Sequence, residues 1–258
     1  EILRCLVGSE MCIRDSLEGF KMESINTEKI TNKDLEEIYT KCLEYANRIK
    51  NPSLRECCLE IYNDYKEKLI AKPSTESPRH HFFRGGLMYH SYCVTRNAII
   101  IAELYDYLDL DMDLIIFGSL LHDIGKTDHN KDFNSIKDGE IGILSSGDYM
   151  VGHSYAGTHI VENYLTKYNL DDQFKYQALH MIGSHMKDYG ECGTLISQKM
   201  LEVLIISYAD SIDATLDTIK NGINNAKKGE IYYDEKQATK FYKSANPYHE
   251  NNIKKGQI

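Results

Sequence analysis

The sequence predicts an all-α fold, a helical bundle with one long irregular flap between two of its helices. Three observations carry that prediction. Apolar residues recur at i, i+3, i+4 spacing through the long segments between residues 31 and 219. Two apolar runs, 98–102 and 114–121, have the length of core helices and fall short of the roughly 20 residues that a membrane span needs. The segment before residue 78 is helical in pattern and shows no alternating strand period.

Residues 1–21 have no clear period and meet Met22, a plausible natural start. The run CLVGSEMCIRDS resembles translated sequencing-adaptor sequence, so this stretch is expected to be a non-native or disordered leader and is set aside. From Thr31 the apolar residues Leu35, Ile38, Tyr39, Cys42, Ala46 and Ile49 form one helical stripe, with Thr31 or Asn32 as cap. Asn51-Pro52 ends this helix and starts a second, with Pro52 at a first helical position. Leu54, Cys57, Cys58, Ile61, Tyr62, Tyr65 and Leu69 make its stripe. Residues 22–72 are therefore expected to be a helical hairpin packed on the main body.

Residues 72–78 read as a loop, and RHHFFRGG at 79–86 follows, gathering His, Arg and Gly ahead of a helix. Positive groups and free backbone N–H groups there suit an anion such as phosphate, and an ordinary polar turn is the alternative. A helix is expected over 87–107 and another over 111–124, ending at Gly125. Residues 126–150 form the flap, with a short hairpin expected at 136–144; a connection this long is often functional. Further helices are expected from Gly152-His153, over 171–187 and over 200–219. The segment 221–258 reads as a polar, Tyr-rich C-terminal extension, with 231–233 as a short strand or a packing patch.

The net charge of −9 argues against an extended basic surface for duplex DNA, while leaving room for a nucleotide or a single strand. Seven cysteines without a C-x-x-C pair, and no secretion signal, point to reduced thiols and a cytoplasmic protein.

The residues able to carry chemistry sit at helix starts and ends: His90, His122-Asp123, His153, His185 and Asp210. Four imidazoles and two carboxylates match the needs of a two-metal site, because Asp123 has two oxygens and can bridge. Imidazole-rich ligation favours Mn, Fe, Zn, Co or Ni over Mg. Asp210 lies among apolar residues, where an isolated carboxylate is expensive unless paired or metal-bound. Spacing alone leaves open whether these five segments converge.

GGLMYH at 85–90, LLHDIGK at 120–126, GH at 152–153, SH at 184–185 and ADSIDA at 209–214 resemble, in order and spacing, the HD superfamily of metal-dependent phosphohydrolases. The resemblance covers residues 78–220, is closest to the HD domain of the YhaM-type 3′–5′ exoribonucleases, and through His153 and His185 extends to the subset with six ligands and two metals. It implies that His90, His122, Asp123 and Asp210 hold one divalent ion, and that Asp123, His153 and His185 hold a second. It implies a phosphodiesterase acting on a nucleotide or short single-stranded RNA through a metal-activated water. Lys126 is then a catalytic and substrate-binding residue that meets a phosphate oxygen. His81 and Arg84 are further substrate-binding candidates; Asp213 and His180 are expected behind the ligands or in the core.

Two departures from the family pattern stand out. YhaM-type enzymes carry an OB domain before the HD domain, whereas the upstream segment here is helical, so tracking of a single strand by an OB groove is not expected from it. Met186-Lys187-Asp188 stand where the family often has a second His and a Gly. The six-ligand set also resembles di-iron oxygenases of the HD superfamily such as inositol oxygenase. A nucleotide-binding module without catalysis is the reading from another class, and an exoribonuclease proper is the narrowest one.

Overall fold

The computed structural model describes residues 30–76, 79–137, 146–186, 194–235 and 238–245. Helices dominate, as the apolar periodicity predicts. The expected leader at 1–21 and most of the hairpin expected at 136–144 lie outside the described residues.

The first helix, α1 (Asn32–Ala46), begins with a capping box in which the Thr31 hydroxyl accepts from the Asp34 N–H and the Asp34 carboxylate accepts from the Thr31 N–H. Asn51 caps α2 (Pro52–Asp64), with Pro52 where the missing N–H is harmless. The stripe expected to run on to Leu69 is broken at Tyr65, and a separate short helix, α3 (Lys66–Ala71), follows.

Three helices make the centre: α4 (Gly86–Leu104), α5 (Met112–Leu121) and, far along the chain, α10 (Leu201–Asn225). All residues of α5 from Leu114 to Leu121 are buried, the signature of a helix packed on every side. Between α5 and α10 come the short α6 (Lys126–His129) and α7 (Ser146–Val151), then the antiparallel neighbours α8 (His153–Leu165) and α9 (Asp172–Gly183). Two short antiparallel strands, β1 (Ile231–Asp234) and β2 (Thr239–Tyr242), close the described chain. Only the first was expected from sequence.

Both ends of α5 are tied down. The Asp113 carboxylate accepts from the Lys50 and Asn51 N–H groups at 2.8 Å each, and Glu202 of α10 accepts from the Asp111 N–H at 3.0 Å. At the other end the Tyr62 hydroxyl donates to the Leu120 carbonyl at 3.0 Å, serving one of the orphan acceptors of a helix C-terminus. One apolar core runs from Leu35 in α1 through Ile61, Leu87, Phe117 and Val161 to Ile206, so the N-terminal helices share the interior of the rest. Among the described residues no helix is long and apolar enough to cross a membrane.

Candidate metal centre

The helix expected over 111–124 ends sooner, at Leu121, and the chain turns through His122–Gly125 before α6 begins. This turn is pressed against the start of α8. A Cβ on Gly125 would stand 2.1 Å from the His153 carbonyl oxygen and 2.5 Å from the Gly157 nitrogen. Glycine therefore lets the His122-Asp123 turn and the N-terminus of α8 touch backbone to backbone, which brings His153 to Asp123.

The six residues predicted from sequence come together around Asp123. Asp123 is 2 % exposed. Its Oδ2 lies 3.5 Å from His122 Nε2 and 3.7 Å from His90 Nε2. Its Oδ1 lies 3.4 Å from His153 Nε2 and 3.7 Å from His185 Nε2. His90 Nε2 is also 3.0 Å from Asp210 Oδ1 and 3.4 Å from His122 Nε2. His90, His122 and Asp210 make one grouping and Asp123, His153 and His185 another, each with ligand atoms within 4.8 Å of one another.

The same device aims two of the imidazoles. His122 Nδ1 donates to the Ser119 carbonyl at 2.8 Å, and His185 Nδ1 donates to the Ile182 carbonyl at 2.7 Å. Each acceptor is an unpaired carbonyl in the last turn of a helix, α5 or α9. A carbonyl can only accept, so each ring carries its proton on Nδ1 and turns the lone pair of Nε2 into the cluster. His185 Nε2 and His153 Nε2 are buried and have no hydrogen-bond partner. Buried nitrogens of this kind, aimed at a carboxylate, are what a divalent ion requires.

Electrostatics agree with that chemistry. Burial holds His153 down at about 3 and His185 at about 4, so both rings are neutral at neutral pH, the form a metal would require. Burial opposes ionisation of Asp123, yet Lys126 and His122 keep its pKa well below the usual carboxylate range. Burial likewise opposes charge on His90, but Asp210 and Asp213 raise it to about 10, so without metal it holds a proton that an ion would displace.

Other candidates fall elsewhere. Lys126 is half-buried with Nζ 2.6 Å from Asp123 Oδ2. Asp213 Oδ2 accepts from His90 Nδ1 at 2.7 Å, directly behind that ring. His81, a substrate-binding candidate, has its ring buried and turned to Asp213 at 2.7 Å. Arg84 donates to Asn32 Oδ1 at 2.7 Å, at the start of α1. His180 joins none of the groupings; its Nε2 accepts from the Lys199 N–H at 3.0 Å, tethering the approach to α10. The residue that sequence reasoning passed over is His80, whose ring stands 4.9 Å from that of His90. Burial lowers its pKa to about 2. The His80-His81 dipeptide signals a histidine at this place but not which of the two faces the cluster.

An all-helical bundle that converges four imidazoles and two carboxylates on one point defines a protein of the divalent-metal-binding helical class. The chain belongs to the HD domain family, whose model matches residues 87–215. It is similar to the 3′–5′ exoribonuclease YhaM of Geobacillus sp. (27% identical over 198 residues, 76% of this chain and 57% of the relative). It is likewise similar to the enzymes of that name from Bacillus pumilus (25% over 188 residues, 73% and 57%) and Bacillus subtilis (26% over 191 residues, 72% and 56%). The chain thus spans a little over half the length of these relatives. No solved structure matches it. Family membership and these relatives support a metal-dependent hydrolase.

Proposed function

We propose that this protein is a metal-dependent phosphodiesterase that cleaves a nucleotide or short single-stranded RNA at the His/Asp cluster. The observation that carries the reading is Asp123, one oxygen of which faces His90 and His122 while the other faces His153 and His185. His90, His122, Asp123 and Asp210 would hold one divalent ion; Asp123, His153 and His185 would hold the second. Bound there, such ions supply Lewis acidity to a phosphoryl group and lower the pKa of a water that attacks phosphorus. The imidazole-rich donors favour Mn, Fe, Zn, Co or Ni over Mg.

The chain's own residues do the remaining work. Lys126, at the edge of the cluster, binds a phosphate oxygen and offsets charge as it develops. His80, neutral beside His90, offers substrate a hydrogen bond. RNA is favoured as substrate because the relatives carry the name of exoribonucleases. In this reading residues 78–220 form the catalytic body, 22–72 support it, and 221–258 extend it, in a cytoplasmic protein.

Protein purified without added metal, assayed for bound metals and then for turnover of nucleotides, dinucleotides, cyclic dinucleotides and short RNAs, tests this. Metal-dependent release of a phosphomonoester product that disappears in Asp123→Ala is expected. Full activity in that variant, or full metal occupancy with no phosphoester cleaved, would overturn it.

A further inference from the structure

His81 is the residue whose place the phosphate-site expectation explains least. It is 3 % exposed, and its backbone sits at φ 48, the left-handed region that a residue with a Cβ seldom adopts. Such strain persists only where the surroundings enforce it. The surroundings here are specific. The His81 N–H donates to Asp217 Oδ2 at 2.7 Å, and the ring places Nε2 2.7 Å from Asp213 Oδ2 and Nδ1 3.5 Å from Asp217 Oδ2. The His81 carbonyl accepts from the Ser74 N–H at 3.3 Å and the Phe83 N–H at 2.9 Å. It also lies so near Gly86 that a Cβ there would stand 1.9 Å from it.

Asp210, Asp213 and Asp217 recur at i, i+3 and i+7 and share one face of α10. The first faces the cluster, and the other two meet His81. Asp213 uses a single oxygen, Oδ2, for both His81 Nε2 and His90 Nδ1, each at 2.7 Å. Two ring N–H groups thus converge on one carboxylate oxygen, which can only accept. These three residues also form a geometric grouping able to hold an ion. Contacts of 2.7 Å are hydrogen bonds, however; donors sharing an ion at bond lengths near 2 Å stand roughly 3 Å or more apart.

We infer that His81 is a positioning residue of the metal centre: by fixing Asp213 from behind, it sets the ring plane and tautomer of His90 and so the direction of His90 Nε2. The inference rests on the metal-centre reading above. Outer partners of this kind are typically worth 10–100-fold in metal affinity. The strained turn at 79–86 then serves to bring a second imidazole onto α10, one residue away from His80, which stays beside His90.

Cobalt(II) is the probe, read by titration calorimetry and by its visible absorption bands, which report ligand geometry. Two variants are used: His81→Asn, since Asn tolerates left-handed φ but is too short to reach Asp213, and His81→Phe, which keeps the ring without a donor. Each variant that folds, by its circular dichroism, should bind cobalt about 10–100-fold more weakly with altered bands. Asp213→Asn should do the same, and adding it to His81→Asn should cause little further loss, since His81 acts through Asp213. Parent-like affinity and bands in either folded variant, or losses that multiply in the double variant, would sink the inference. Failure of both variants to fold would also sink it, by making His81 a requirement of the fold itself. If the parent protein takes up no cobalt, the metal-centre reading itself fails.

Discussion

Lys126 Nζ lies 2.6 Å from Asp123 Oδ2, the carboxylate oxygen that also faces His90 and His122. The ammonium group balances the charge of an oxygen that a bound ion would also share. A bound ion and Lys126 repel each other across the same oxygen, so loading the site should free Lys126 to swing to substrate.

From this follows a separation of roles. Lys126→Met should leave cobalt or manganese affinity equal to or tighter than that of the parent. Turnover of a phosphodiester should fall by roughly 10²–10³-fold, the usual loss when one charge-stabilising donor is removed. Metal titration and steady-state kinetics on the same preparation check this; a weakened metal with unchanged kcat would assign Lys126 to the metal instead.

Asp123→Ala removes the one side chain with an oxygen toward each pair of imidazoles, His90 with His122 and His153 with His185. Both metals should be lost together, and phosphodiester turnover should become undetectable. Single replacement of His153 or His185 should remove only the second ion. Elemental analysis of the three proteins distinguishes these outcomes.

The architecture was legible because its helices are amphipathic or wholly apolar, with caps at Thr31, Asn51 and Asp111 that a sequence displays directly. Helix ends were less so: α10 continues to Asn225, and the helix expected over 111–124 stops at Leu121. That early stop matters, since His122 and Asp123 point as they do because the chain turns there. The six cluster residues were visible as a pattern of residue types at helix termini. The direction of the His81 side chain was not legible, for a local reason. Adjacent side chains diverge by an amount that backbone φ decides, and a left-handed step at a histidine leaves no mark in the sequence. Arg84 has a partner that its local sequence does not announce: its Nη1 donates to Asn32, far from it in the chain.

Metal removal should lower stability without unfolding the protein. An ion that binds only the folded state adds about 2.7 kcal/mol when present at 100 times its Kd. Without it, the contacts of His90 with Asp210 and Asp213 remain to hold α4 on α10. Chelation should therefore lower the melting temperature by several degrees, with helical circular dichroism retained below the transition. Restoring manganese or cobalt should raise the melting point in a concentration-dependent way.

The chelated protein should also be sensitive to mild acid. His153 and His185 have folded pKa values of about 3 and 4, below the ordinary 6.5, so below pH 6.5 the unfolded chain binds protons that the folded one refuses. Stability then falls with pH, at up to about 1.4 kcal/mol per unit for each ring, before ordinary carboxylates titrate. His90, raised to about 10, stays protonated when folded while its unfolded form gains a proton near 6.5, so it offsets the slope of one ring around pH 6.5 and adds none well below it. Urea unfolding of chelated protein at pH 7, 6 and 5 should show this decline, and replacing His153 by Gln should flatten it. An equal slope in that variant would remove His153 as a cause.

Gly125→Ala is the change that separates the fold from the site most cleanly. The new methyl group would meet the His153 carbonyl at 2.1 Å and the Gly157 nitrogen at 2.5 Å. Both are backbone atoms of α8, so no side chain can rotate away, and the helix itself must retreat from the His122-Asp123 turn. Overpacking of this kind typically costs about 1–3 kcal/mol. The retreat carries His153 away from Asp123 Oδ1, now 3.4 Å away, and leaves His90, His122 and Asp210 in place. The variant should therefore remain folded and keep one ion while losing affinity for the second. Parallel urea unfolding and cobalt titration measure the two effects; loss of both ions, or of neither, would mean that α8 does not set the second site.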